Sequence, residues 1–198
     1  MMEQLRLFVA VELPPEVREA LAGLQKGMRP RCGPGVRWTR PEGIHLTLKF
    51  LGDVTQAEVA RLEKALGRAA LGQVVFELSL GSTGFFPNPH RPRVLWTGLE
   101  GETERLKALA RRVEEELSPL GFHTEGRPFT PHLTLARLGE RLGSAQREAF
   151  DSTVQSAPWR PGHPFAVDGL SLVRSHLNPA GAVYTCLHRA PLTTAPVR

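Results

Sequence analysis

The tetrapeptide His45-Leu46-Thr47-Leu48 occurs a second time, letter for letter, as His132-Leu133-Thr134-Leu135. Along a β-strand, residues i and i+2 project to the same side. His45 and Thr47 therefore share one face, while Leu46 and Leu48 turn toward a core, and the second copy divides in the same way. Two imidazoles and two hydroxyls brought together across one cleft suit displacement at phosphorus. An unperturbed imidazole titrates at about pH 6.5, so a pair can hold one neutral and one protonated member near neutrality. One can take a proton from the attacking oxygen and the other supply a proton to the leaving oxygen. The threonine hydroxyls can donate to non-bridging phosphate oxygens, and a cation such as Arg137 offsets their charge. A single copy of this sequence reads as an ordinary half-buried strand; identical repetition argues for an internal repeat with chemistry in it.

The elements that must position these residues follow from the hydrophobic pattern. Residues 6–13 read as a strand closed by Pro14-Pro15. A helix follows over 15–28, with Val17, Leu21 and Leu24 at helical spacing. Residues 29–43, rich in proline and glycine, form a turn-rich connection. The first motif opens a strand over 44–51. Thr55 then caps a helix to Leu71, with Glu58 completing a capping-box pattern. Strands are expected over 74–80 and 93–97, separated by a loop over 81–92, then a helix over 102–118 and the second motif strand over 131–138. A helix over 144–155 and strands near 165–173 and 182–188 complete the chain, with 191–198 as a disordered tail. This mixed order, without Gly-rich phosphate loops in a βαβ rhythm, indicates an α+β fold.

The chain of 198 residues fits one domain or two fused half-domains, with enough apolar residues for a sizeable core. No apolar run approaches the roughly 20 residues that a membrane span requires, and the start lacks a secretory pattern. Cys32 and Cys186 are the only cysteines, giving no disulfide framework, so a cytoplasmic setting is expected. A net charge of +5, carried mostly by arginine, fits an anionic partner such as nucleic acid. Phe8 is either a base-stacking residue or a core aromatic, and Phe86 is a loop candidate for the same role. Positions 45, 47 and 49 share a face in a regular strand, so Lys49 is expected to reach the cleft, and Arg137 is placed on the face of His132. His90, His123, His163, His176 and His188 lie outside any repeat or zinc-like spacing, with His176 a possible cleft-edge residue; no metal site is expected.

With its two His-x-Thr-x motifs, the chain resembles the two-histidine phosphoesterase superfamily, and within it the bacterial and archaeal RNA 2′,3′-cyclic phosphodiesterases, also called 2′-5′ RNA ligases. The resemblance extends through Arg6-Leu7-Phe8-Val9-Ala10-Val11, His45 to Gly52, Gly84-Phe85-Phe86-Pro87, Arg93-Val94-Leu95-Trp96 and Pro131 to Arg137. It implies a bilobal α+β domain over 1–198, with two antiparallel sheets facing across a cleft, helices outside and a pseudo-two-fold repeat. It also implies hydrolysis of RNA 2′,3′-cyclic phosphate to a 2′-phosphate end and reversible 2′-5′ joining, without a cofactor. His132 would activate water, His45 would protonate the departing 3′ oxygen, and Thr47, Thr134 and Arg137 would hold the phosphate. The expected partners are RNA ends or small cyclic-phosphate nucleotides, with no membrane, and nothing demands more than a monomer. Two rival readings keep the motif: action on a small cyclic diester, and a non-catalytic module that grips RNA ends.

Overall fold

A computed structural model describes residues 4–124, 126–139, 148, 150, 152–154, 159–178 and 181–194. The first strand, β1 (Gln4–Val11), buries Leu5, Leu7, Val9 and Val11 on one side. Helix α1 (Pro15–Cys32) begins on Pro15, whose fixed φ and missing N–H suit a first helical turn. Then come β2 (Val36–Trp38), β3 (Leu46–Thr55), α2 (Val59–Ala70), β4 (Phe76–Phe86), β5 (Val94–Gly101) and α3 (Thr103–Leu117). The last strands are β6 (His132–Leu138), β7 (Gly162–Val167), β8 (Gly169–Asn178) and β9 (Gly181–Pro191). The capping box ahead of α2 forms, with the Thr55 N–H and hydroxyl both donating to Glu58 Oε2, at 2.9 and 2.7 Å. Residues 148, 150 and 152–154 are helical and bury Phe150 and Val154; the rest of the helix expected there lies outside the described residues.

Four expectations need correction. The single strand expected near 165–173 is two, β7 and β8, which lie in different sheets. The connection over 29–43 contains β2, which is short but buries Val36 and Trp38 partly against the core. The loop expected from Gly81 is instead the continuation of β4, kinked by a register shift between Leu80 and Thr83, because its glycines answer neighbouring side chains rather than a turn. The tail does not start at Pro191. That residue ends β9, Leu192 is buried, and Thr193 bridges to Val74 beside an N–H bond to the Gln73 carbonyl.

The named strands pair antiparallel throughout, in the orders β3-β1-β8-β9 and β2-β6-β5-β4-β7. The orders echo each other: motif strand, then the strand that opens its half of the chain, then a strand from the other half. The two sheets face one another with β3 against β6. Their outer faces join α1, α2 and α3 in one core that includes Leu46, Leu48, Leu133 and Leu135. Each such buried side chain contributes about 1.5–3 kcal/mol relative to exposure. The inner face of the first sheet carries its own small cluster of Phe8, Ala10 and Val173 with Tyr184.

Both motif strands bulge at the same place. Against β1, the pairing passes from Ala10↔Thr47 to Val9↔Lys49, leaving Leu48 without a partner. Against β5, it passes from Trp96↔Thr134 to Leu95↔Ala136, leaving Leu135 without one. The freed Leu135 carbonyl accepts the Thr39 N–H and Gln25 Nε2, each at 2.9 Å. An extra residue reverses the alternation beyond it. Residues 45, 47 and 50 therefore share the inner face, as do 132, 134 and 137.

This overturns the placement of Lys49 in the cleft. The bulge turns it to the outer, helix-covered face, where its side chain is 2 % exposed and its ammonium donates to Glu114 Oε2 and to the His123 carbonyl, each at 2.7 Å. The matching bulge in β6 brings Arg137 onto the face of His132, from which a regular strand would have turned it away. Lys49 thus ties β3 to α3. Removing one partner of a buried pair leaves the other charge uncompensated. Lys49→Ala is expected to lower the unfolding free energy by about 3 kcal/mol, seen as a lower urea midpoint, with Glu114→Gln restoring part of it in the double variant.

Candidate active site

His45 stands immediately before β3, after a 3-10 turn at Pro41–Gly43 closed by the Ile44 N–H on the Pro41 carbonyl at 3.1 Å. Its Nδ1 bonds the Gly43 carbonyl at 2.8 Å. His132 opens β6, and its Nδ1 bonds the Thr130 carbonyl at 2.7 Å. A carbonyl only accepts, so Nδ1 carries the hydrogen in both rings and Nε2 is left for proton exchange. The repeat therefore reproduces a tautomer-fixing anchor, a carbonyl two residues upstream, as well as a residue pattern.

The walls of the two sites differ. His45 stacks on Phe8, with ring centroids 4.4 Å apart and planes at 25°, and meets the edge of Tyr184 at 4.8 Å. Tyr184 also meets Phe8 edge-on at 5.5 Å and packs against Gly43, where a Cβ would fall 3.0 Å from Tyr184 Cε2. Among the described residues His132 has one aromatic neighbour, Phe86, edge-on at 4.9 Å. Phe86 leans on Trp96 at 5.1 Å, and Trp96 lies over Gly84, where any Cβ would collide with the indole.

Burial among these rings pushes the pKa of His45 down to about 4, against a partial upward pull from its bond to Gly43. Arg18 lowers it further, while Glu12 raises it. Burial raises the Tyr184 hydroxyl, which Arg137 and Arg6 draw back down. Arg137 belongs to β6 and Tyr184 to β9, so this electrostatic contact spans the two sheets. Thr47 lies opposite Ala10, and Thr134 opposite Trp96, both half-buried on the inner faces.

The remaining candidates divide. Phe8 is 2 % exposed beneath His45, so the core reading holds and no face is left for a nucleobase. Phe86 stands beside His132 as a wall, at the end of a strand rather than in a loop. His176 alternates with Val173 and Ser175 on β8 and turns away from the inner face. Two residues escaped the sequence reading. Tyr184 is the chain's single tyrosine, and only the β8–β9 pairing brings it to His45. Phe50 is 61 % exposed on the inner face opposite Phe8, at a centroid distance of 6.2 Å. Without the bulge, its position in the strand reads as outward-facing.

A family model described as LigT like phosphoesterase matches residues 11–96 and again 98–184, one stretch for each motif. The chain belongs to the LigT-like phosphoesterase family. Among its relatives, an RNA 2′,3′-cyclic phosphodiesterase of Methanothermobacter thermautotrophicus is 33% identical over 182 residues, covering 92% of this chain and 96% of that protein. The enzyme of that name from Thermus thermophilus is 38% identical, covering 95% and 90%. Among solved structures, a Thermus thermophilus protein superposes with a TM-score of 0.76 at 34% identity, covering 94% of this chain and 97% of its own. Escherichia coli LigT complexed with 3′-AMP superposes with a TM-score of 0.75 at 30% identity, covering 96% and 99%.

For this LigT-like phosphoesterase, the low pKa of His45 has a consequence for stability. A histidine whose folded pKa lies below its unfolded value binds fewer protons when folded, so its contribution is complete above the unfolded pKa and is lost on acidification. The window runs from about pH 6.5 down to about 4. Between pH 7 and pH 5 the protein should lose about 2 kcal/mol through this group. Urea titrations at the two pH values read it, and His45→Gln should flatten the difference.

Proposed function

We propose that this LigT-like phosphoesterase hydrolyses RNA 2′,3′-cyclic phosphate ends to 2′-phosphate ends and, with a 5′-hydroxyl in place of water, joins RNA ends through a 2′-5′ bond. The observation that carries the reading is the pair of histidines, one on each facing sheet, both held through Nδ1 by a carbonyl two residues upstream. The named activity of its relatives supports it, as does the binding of 3′-AMP and of phosphate by Escherichia coli LigT.

In hydrolysis, water attacks phosphorus in line with the P–O3′ bond and gives its proton to His132 Nε2. The P–O3′ bond breaks, and His45 passes its Nε2 proton to O3′, leaving a 2′-phosphate and a free 3′-hydroxyl. His45, neutral in the free protein by reason of burial, takes up its proton when the phosphodiester's negative charge enters beside it. Once charged in that apolar setting, it is a strong acid toward the departing alkoxide. Thr47 and Thr134 donate to the non-bridging oxygens, and Arg137 balances their charge. Phe50, exposed beside this site, offers a ring to the terminal base. The two imidazoles carry every proton, so the scheme routes no step through a metal or nucleotide cofactor. A monomer in the cytoplasm completes the reading, supported by the free thiols of Cys32 and Cys186. Among the described residues no helix is long and apolar enough to cross a membrane.

Incubation with a short RNA ending in a 2′,3′-cyclic phosphate, in excess EDTA, tests the proposal. A 2′-phosphate product is expected, with a bell-shaped pH–rate profile. His45→Ala and His132→Ala should each lose about 10²-fold or more in rate while keeping most of their affinity. Strict dependence on added metal would overturn the scheme. Equal losses of binding in both variants, with no turnover in the parent, would leave an RNA-end-binding module instead.

A further inference from the structure

The short strand β2 adds one residue to the inner face of the second sheet. Val36 and Trp38 turn to the core, paired with Leu138 and Ala136, and Arg37 lies between them directly opposite Arg137. Partners in an antiparallel pair share a face, so Arg37 stands beside the arginine assigned to the reacting phosphate. Both are exposed. Like charges directly opposite each other weaken a strand pair, and among the described residues neither guanidinium has a carboxylate partner. The arrangement costs stability in the free protein and offers two planar donor forks side by side, which suit two phosphates. β2 is also the outermost strand of its sheet, beyond β6. A polymer leaving the cleft past Arg137 crosses Arg37 and then reaches solvent.

We infer that Arg37 binds the internucleotide phosphate next to the terminal cyclic phosphate, making the favoured substrate an RNA strand rather than a mononucleotide. This rests on the proposed function and adds to it the path by which the strand leaves the site. A mononucleotide carries only the phosphate held by Arg137, Thr47 and Thr134, so it gains nothing from Arg37. A trinucleotide supplies the second phosphate.

The test compares binding of a 5′-fluorescein RNA trinucleotide ending in a 2′-phosphate, by anisotropy, with competition by a nucleoside 2′-monophosphate. Arg37→Gln should weaken the trinucleotide about five- to tenfold at low salt and reduce the magnitude of its salt slope by roughly 0.7, one phosphate's worth for single strands. Its affinity for the mononucleotide should be unchanged. Arg37→Lys, which keeps the charge, should recover most of the slope. Equal weakening of both ligands, or no change for the trinucleotide, overturns the inference. Because binding is read without turnover, the two ideas separate. An active parent whose Arg37→Gln variant binds the trinucleotide normally sinks only the strand path. An inactive parent whose variant loses the trinucleotide selectively sinks only the catalytic scheme.

Discussion

Each motif strand has to set an imidazole and a hydroxyl on one face and two leucines on the other, and then abandon that alternation within one residue. The bulges at Leu48 and Leu135 impose this change, and the composition of the cleft depends on it. Upstream of the bulge, alternation pairs His with Thr. Downstream, it delivers Phe50 to the inner face of one sheet and Arg137 to that of the other, and sends Lys49 and Ala136 to the buried outer faces. The two sheets thereby acquire different third residues from the same backbone device: an aromatic surface beside His45 and a cation beside His132. The two halves of the repeat thus diverge just downstream of the motif, as the asymmetric substrate of the proposed function would need.

The same division shows in the histidines themselves. Their anchors match closely, since a backbone carbonyl at the same offset fixes the tautomer of each. Their solvation does not match. Phe8 and Tyr184 enclose His45 and strip water from its charged form, while His132 meets Phe86 only at an edge. Identical hydrogen bonding with unequal burial sets two chemically alike groups apart, which suits the donor and acceptor roles proposed for them.

The sequence revealed what short-range pattern controls. Strand alternation predicted which of His45, Leu46, Thr47 and Leu48 face inward, the Thr55–Glu58 capping box was readable, and repetition picked out both histidines. Failures arose where a tertiary neighbour overrode a local signal. Gly84 looked like a loop residue, yet it is glycine because Trp96 lies across it. Lys49 looked like a cleft cation by parity, and a bulge that no residue announces sent it to Glu114. Arg137 was placed correctly, although strand alternation alone gave the wrong sign for it. Tyr184 and Phe50 were missed for related reasons: one comes from a distant strand pairing, the other from a register known only once the strands are paired.

Strand exchange between the halves also bears on how the protein is made. Residues Leu7 to Ala10 pair with Ser171 to Arg174, so β1 waits on the ribosome until both motif strands have been made before it gains its second neighbour. Until then the nascent first sheet holds only β1 and β3, with an unpaired edge on β1 and the Phe8 side bare. Contacts of such sequence separation slow folding and lengthen the exposure of that edge. The strands that close the aromatic box around His45 follow both motif strands in the chain, so this site assembles only after each motif strand has been made.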